Sequence, residues 1–467
     1  MSDPVIAQSA GDDYRGARET GGRRSTDHES IKAAPEQPQG HLAREWSWRA
    51  LARFLKELPV RYGWRTSGAA TAHAIDGLRC FAVLIVVLGH LCARLVLLPG
   101  AKEMLQPGLW SVLRAFLNQA VGVLVFFVIS GFVCAMQLDA HPVRGWGAYA
   151  KYLACRLIRI APPYCAILIL SYLGLRMSGH SPQIEVFRAA VTNEEALLVS
   201  LLYSYGWYFD GYPKLFVAGL SLEIEIQFYL LAPVLMAAVE GWKHRLAALV
   251  TLSFACLILT STRWGIAPHI HFTFARYCVY FIAGMAGYLA HRRYASSYTH
   301  ARAARALDWA VLPALAFILG FHQPYEVFWG SPIARHFLIT NLSAIGVLLA
   351  AALNPHTRTH AILSRRYLSF AGAACYSIYL THMFVIYACV SFVHPALPGA
   401  DRGVLALLAV VAAGIATPIV SLVFYVLLQR PFMGKELGDR AISLLQRLGG
   451  PQPSTGQSCA TSRWVNA

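Results

Sequence analysis

Residues 74–90 read AIDGLRCFAVLIVVLGH, a run that is apolar enough for a membrane helix but carries Asp76, Arg79 and His90. The hydrocarbon core of a bilayer is about 30 Å thick, so a helix needs roughly 20 mostly apolar residues to cross it. Ionisable side chains at that depth are costly and usually face the interior of a helix bundle, where they serve a function. The stretch therefore predicts a membrane helix with one functional polar face.

The composition extends this prediction to the whole chain. Of its 467 residues 56% are hydrophobic and only 14% are charged, whereas charged residues make up about a quarter of soluble proteins. We predict an all-α, polytopic integral membrane helical bundle with about ten transmembrane helices. The candidate spans are 75–98, 119–138, 157–177, 217–239, 246–262, 275–291, 308–322, 335–353, 368–392 and 403–428.

A shorter apolar run, ALLVSLLYSYGWYF at 196–209, is typical of an interfacial or re-entrant piece rather than a full crossing. With ten crossings, the basic loops 141–156, 291–305 and 354–366 share one side with the basic amino-terminal arm. Basic loops favour the cytoplasmic side. We therefore predict a multi-pass protein of a bacterial-type inner or plasma membrane with both termini in the cytoplasm.

The chain divides into four predicted regions by composition. Residues 1–43 are polar and lack an apolar period, which predicts a disordered cytoplasmic arm, and residues 44–73 form a juxtamembrane amphipathic segment. The transmembrane domain spans 74–431, and a cytoplasmic tail spans 432–467. The net charge of +16 suits this topology better than nucleic acid, because the basic residues lie in the arm and between apolar runs. No metal site is predicted, since no Cys or His has ligand spacing.

The helical periodicity places Asp76, Arg79 and His90 within an arc of about 60°, with His90 about 16 Å further along the helix than Arg79. An ion pair near the helix end is the favoured interpretation of Asp76 and Arg79. For His90 two interpretations are equally open from spacing alone. It is either a neutral histidine that is hydrogen-bonded in the bundle or a functional group in a cavity.

Polar residues also occur in four later runs. Glu223 and Glu225 point about 160° apart, so one at most can face a given cavity, and Ser221 and Tyr229 flank Glu225 one turn away. A structural hydrogen bond for Glu225 is as consistent with the spacing as a proton-handling role. Three further sets complete the candidates. Arg156 and Arg159 suit either phosphate or anionic lipid, and close helix packing is the favoured interpretation of Ser130 beside Gly131. Tyr379 and His382 lie one turn apart.

Six segments in this order resemble the membrane-bound acyltransferase 3 family, which O-acylates carbohydrates and other acceptors. The resemblance covers roughly 74–431. The segments are IDGLRCFAVLIVVLGH, GVLVFFVISGF, RLIRIAPPY, SLEIEIQFYLLAPVL, YSIYLTH and YVLLQRPF.

The resemblance implies transfer of an acyl group, often acetyl, from acyl-CoA as co-substrate to a hydroxyl of a polysaccharide, lipopolysaccharide or exopolysaccharide, without a bound cofactor. By the same resemblance the candidate catalytic residues are His90, Arg79, Asp76 and Glu225, and the candidate donor-binding residues are Arg156 and Arg159. Ser130, Tyr379 and His382 are candidates for acceptor contact or for a structural polar role.

Two positions depart from the family pattern: Leu220 replaces a tryptophan, and Gln429 replaces a glutamate. The alternative interpretation is a secondary transporter or flippase with an intramembrane His/Glu proton relay, because buried ionisable groups in ten spans are typical of those proteins too.

Overall fold

A computed structural model describes residues 70–96, 119–178, 191–209, 211–240, 243–259, 272–295, 301–320, 332–396 and 402–433. The predicted arm 1–43 lies outside the described residues, as do nearly all of the juxtamembrane segment 44–73 and of the tail 432–467.

Helices account for the fold, and the described residues include no strand, which confirms the predicted all-α class. In chain order the helices are α1 (Ala70–Val96), α2 (Gln119–Ala140), α3 (Gly145–Ser178), α4 (Asn193–Leu201), α5 (Tyr205–Phe209), α6 (Gly219–Glu240), α7 (Lys243–Leu259), α8 (Phe274–Tyr294), α9 (Ala301–Gly320), α10 (Pro332–Leu353), α11 (Arg358–Leu363), α12 (Arg366–Ala373), α13 (Cys375–Ala396) and α14 (Arg402–Phe424). A π-helical turn (Tyr425–Gln429) and a 3₁₀ turn (Arg430–Met433) follow.

The described part of each of the ten predicted apolar runs is almost entirely helical. Within the described residues, five helices are long and apolar enough to cross a membrane, and a sixth span results if α12 and α13 count as one. The chain bends by 73° between these two helices, so the predicted span 368–392 is broken. The structure thus shows a polytopic bundle, and ten crossings remain a prediction.

The centre of the bundle depends on a close approach between α2 and α8. A Cβ atom at Gly131 would lie 2.1 Å from the carbonyl oxygen of Phe281, and one at Gly284 would lie 2.0 Å from that of Val128. Only glycine permits backbones to come this close, as is common between membrane helices. The packing prediction for Gly131 is therefore confirmed.

The amino-terminal end of α1 is held by α11 and α12. A Cβ atom at Gly77 would lie 2.0 Å from the carbonyl oxygen of Leu363, and one at Gly372 would lie 1.7 Å from that of Asp76. The break between α12 and α13 comes just after Gly372. The bend therefore occurs where the chain is pinned against the first helix.

The basic segments lie at the same end of the bundle as the start of α1. Asp139 at the end of α2 pairs with Arg292 at the end of α8. Asp308 of α9 accepts hydrogen bonds from the backbone N–H groups of Arg358 and Thr359, at 2.8 and 3.0 Å. Segment 354–366 in turn packs on α1 through Leu363. Contacts between helix ends thus join the segments that were predicted to be cytoplasmic.

Three local features differ from the sequence predictions. Segment 141–156, predicted as a loop, is helical from Gly145 onwards, so α3 extends well beyond its apolar run. Segment 196–209 forms the short helices α4 and α5, neither of which is long enough to cross, in accord with an interfacial or re-entrant piece. Cys155 is disulfide-bonded, which the cysteine spacing did not predict.

Candidate active site

The ion pair predicted on the first helix is present. A guanidinium nitrogen of Arg79 lies 2.8 Å from a carboxylate oxygen of Asp76, one turn earlier on α1. The Asp76 side chain is 5% exposed and that of Arg79 is 24% exposed. The second carboxylate oxygen of Asp76 is buried without a hydrogen-bond partner among the described residues. Arg79 is therefore held in place while part of its side chain stays accessible.

Two further arginines lie near this pair and form a cluster of three with Arg79. The charge of Arg159 interacts with those of both Arg79 and Arg156, although Arg159 and Arg156 come from α3 and Arg79 from α1. Arg156 donates a hydrogen bond to Gln137 of α2, and its guanidinium lies 4.6 Å from the ring centroid of Tyr229. Arg159 makes no hydrogen bond or ion pair with a described residue. The cluster therefore contains a guanidinium that an anion can bind.

Glu225 is fixed by hydroxyl groups from two helices. The Ser130 hydroxyl donates a 2.7 Å hydrogen bond to Glu225, and the Tyr229 hydroxyl donates one of 2.5 Å to the same oxygen. Arg156 interacts electrostatically with both Glu225 and Tyr229. The sequence predicted the proximity of Tyr229, which is one turn away. Ser130 is 95 positions away, and no sequence signal linked it to Glu225.

Glu223 faces a different neighbourhood, as the helical period predicted. One of its carboxylate oxygens accepts a 3.2 Å hydrogen bond from the backbone N–H of Gly206 in α5. The two glutamates therefore lie in separate surroundings, and of the two only Glu225 lies beside the arginine cluster.

Tyr379 connects α13 to the start of α6. Its hydroxyl lies 2.7 Å from the Ser221 hydroxyl and 2.9 Å from the carbonyl oxygen of Ala218. Its ring also contacts His382, with the ring centroids 5.6 Å apart. Tyr379 therefore ties α13 to the start of α6.

His90 and His382 come together from α1 and α13, with their ring centroids 5.2 Å apart. His382 is fully buried, and its Nδ1 lies 2.7 Å from the carbonyl oxygen of Tyr379. Because a carbonyl oxygen only accepts hydrogen bonds, Nδ1 carries the hydrogen, and Nε2 of the neutral ring presents a lone pair. That Nε2 atom has no partner among the described residues.

The hydrogen bonding of the His90 ring differs from that of His382. It forms no hydrogen bond with a described residue, so among the described residues no structural hydrogen bond accounts for its position. His90 lies eleven residues, or about 16 Å, along α1 from Arg79. The histidine pair is therefore deeper in the bundle than the arginine cluster.

A family model described as an acyltransferase domain matches residues 72–426, which is more than half of the chain. The chain belongs to the acyltransferase 3 family. Its match includes all nine candidate residues: Asp76, Arg79, His90, Ser130, Arg156, Arg159, Glu225, Tyr379 and His382. No curated protein and no solved structure matches the chain.

Both departures from the family pattern are accommodated in the packing of this acyltransferase. Leu220 lies in the apolar core. Gln429 is fully buried, and its amide oxygen accepts a hydrogen bond from Ser377. Among the described residues, no group of three His, Cys, Asp or Glu side chains could hold a metal ion.

Proposed function

We propose that this membrane acyltransferase moves an acyl group, in the first instance acetyl, from acyl-CoA to a hydroxyl of a carbohydrate acceptor such as a polysaccharide, lipopolysaccharide or exopolysaccharide. The observation that carries the proposal is the pairing of His90 with His382, deeper in the bundle than a cluster of three arginines. A membrane acyltransferase needs a base for its acceptor and a binding site for its donor, and these two groups can supply them.

The arginine cluster is the proposed site for the phosphates of acyl-CoA. Guanidinium groups bind phosphate through charge-assisted, often bidentate hydrogen bonds, and Arg159 has its donors free of described partners. Arg156 is oriented by Gln137 and Tyr229, so its side chain loses little further conformational entropy when it binds an anion. The thioester then extends along the face of α1 from Arg79 towards His90.

The histidine pair is the proposed general base. His90 accepts the proton of the acceptor hydroxyl, and the resulting oxygen nucleophile attacks the thioester carbonyl carbon. When the C–S bond breaks, the proton on His90 passes to the sulfur, so that free CoA leaves and the ester remains. His382 supports the charged ring, because its Nε2 lone pair can accept a hydrogen bond from an N–H group of His90. Neighbouring imidazoles repel when both are charged, so the pair carries at most one positive charge at a time.

We further propose that the end carrying the basic segments is cytoplasmic, in a bacterial-type inner or plasma membrane. The contacts Asp139–Arg292 and Asp308–Arg358 bring these segments together at one end, which agrees with the tendency of basic loops to stay inside. The arginine cluster lies towards that end, where acyl-CoA is present.

The test is mass spectrometry of surface glycans from cells with and without the chain. A glycan whose mass rises by one acetyl group only when the chain is present supports acetyl transfer. A mass increase equal to a different acyl group would identify a different acyl-CoA as the donor. Identical glycan spectra, with the protein present at normal levels, would contradict a carbohydrate acceptor.

A further inference from the structure

A second buried polar cluster lies on the other side of α6 from the arginine cluster. It consists of Glu223, Tyr164 of α3 and Tyr203, which lies between α4 and α5, and we call it the Glu223 cluster. Three of its polar atoms are buried without a hydrogen-bond partner among the described residues. They are one carboxylate oxygen of Glu223 and the hydroxyl oxygens of Tyr164 and Tyr203.

The three groups lie near one another without bonding directly. The carboxylate of Glu223 interacts electrostatically with both tyrosines, and the two tyrosine rings stack with their centroids 5.0 Å apart. Buried polar atoms in folded proteins nearly always have a partner, so an unpartnered group needs an explanation. Three such atoms in one place mark a site where a polar group that bridges them would supply the missing hydrogen bonds.

The surrounding backbone holds the cluster firmly. The other carboxylate oxygen of Glu223 accepts from the Gly206 N–H, and a Cβ atom at Gly206 would lie 2.3 Å from the carbonyl oxygen of Phe272. Tyr203 adopts a left-handed backbone with φ of 54°, which is rare for a bulky residue and costs on the order of 1–3 kcal/mol. Strain of this kind persists at binding sites, where the surrounding structure imposes it.

The position of the cluster separates it from the proposed donor entrance. Helices α3 and α6 run antiparallel, since Tyr149 near the start of α3 donates to the carbonyl oxygen of Leu230, whereas Tyr164 lies over Gly219. Because α3 starts at the end with the basic segments, Glu223 is in the half of α6 that faces away from them. Tyr376 lies near both Tyr203 and Arg159, so a polar side chain lies between the cluster and the arginines.

We propose that the Glu223 cluster is a binding subsite for a hydroxyl group of the acceptor, which enters from the end opposite to acyl-CoA; this rests on the proposed function. The chemistry selects this ligand. A hydroxyl can donate to the Glu223 carboxylate and accept from a tyrosine hydroxyl at the same time. An ammonium group cannot accept a hydrogen bond from a tyrosine hydroxyl, and an ionised phosphate or carboxylate cannot donate one to Glu223.

The test is equilibrium binding, without acyl-CoA, of neutral oligosaccharides labelled with 2-aminobenzamide to the full-length protein in lipid nanodiscs. Glu223→Gln replaces the free acceptor oxygen with an amide that donates, and we expect it to weaken binding about tenfold or more, because a buried polar group of the ligand then lacks its partner. Tyr203→Phe removes one hydroxyl and is expected to weaken binding severalfold. Tyr172→Phe is the matched control, because it removes a hydroxyl from the same helix as Tyr164 at a surface site beside Glu194.

The outcomes separate this inference from the proposed function. Should Glu223→Gln fail to fold, Tyr203→Phe decides. Binding by both variants within about twofold of the unmodified protein, or no binding of any probe by the unmodified protein, would overturn the subsite and leave the cluster as a water site. If the probes bind as expected but no acyl group is transferred from acyl-CoA, the proposed function fails and the subsite stands.

Discussion

The hydroxyl of Ser130 donates a 2.7 Å hydrogen bond to Glu225 and so ties α2 to α6 across 95 positions of the chain. Together with the Tyr229 hydroxyl it accounts for one carboxylate oxygen of Glu225. Arg156 also interacts electrostatically with Glu225. The Ser130 hydrogen bond therefore helps to fix the position of the Glu225 carboxyl group relative to the arginine cluster.

Replacing Ser130 with Ala should lower stability by about 1–2 kcal/mol, because a charged acceptor loses one of its donors. Thermal unfolding of the purified protein in nanodiscs measures the change. Ser343→Ala is the control, since its hydroxyl donates to Ile339 on the exposed face of its own helix. Equal unfolding temperatures for the two variants would mean that the bond between α2 and α6 contributes nothing.

Adding one methyl group at Gly131 should disrupt the bundle. In Gly131→Ala the new Cβ atom would lie 2.1 Å from the carbonyl oxygen of Phe281, so α2 and α8 must separate, and a shift of this kind costs about 1–3 kcal/mol or more. Gly346→Ala is the control, because its Cβ atom would meet open space. The yield of folded protein after detergent extraction distinguishes them. A Gly131→Ala variant that behaves like the control would contradict the close packing of the two helices.

Much of this architecture could be predicted from sequence, because it depends on local periodicity. The ten apolar runs are almost entirely helical where the structure describes them. The pair Asp76–Arg79 follows from its one-turn spacing, and the 100° helical period placed Glu223 and Glu225 in separate surroundings. Each of these depends on residues within one or two turns of one another.

The rest could not be predicted, because it depends on which helices pack together. The bonds Ser130–Glu225 and Ser221–Tyr379 and the contact His90–His382 join residues far apart in the chain. Hydropathy sets neither the neighbour of a helix nor its rotation. The bend after Gly372 was missed for the same reason, because the close approach to Asp76 lies in another helix.

Arg159→Gln should raise the acyl-CoA concentration needed for half-maximal activity by about tenfold or more, through loss of one charge-assisted contact to phosphate. Because Arg159 makes no hydrogen bond or ion pair with a described residue, the change should leave the fold intact. Initial rates at several acyl-CoA concentrations measure it. Arg144→Gln is the control, an exposed arginine just before α3. If the half-saturating acyl-CoA concentration is unchanged in Arg159→Gln, Arg159 does not bind the donor and serves only to orient α3 in the membrane.

His382→Ala should reduce the maximal rate by about 10²-fold while leaving half-saturating acyl-CoA nearly unchanged, because His382 supports the base and does not hold the donor. The exposed His356, replaced by Ala, is the control. Folding is checked by the unfolding temperature, and the pH–rate profile should change shape when one member of the pair is lost. A rate reduced only in proportion to lost folded protein, with the profile intact, would show that His382 merely packs the bundle.

The most direct measurement follows labelled acetyl from acetyl-CoA into membrane glycans, with purified protein in nanodiscs, for the unmodified chain and for His90→Ala. We predict transfer by the unmodified protein and a loss of at least about 10²-fold in the variant at equal amounts of folded protein. Equal transfer by both proteins would contradict the role given to the His90–His382 pair.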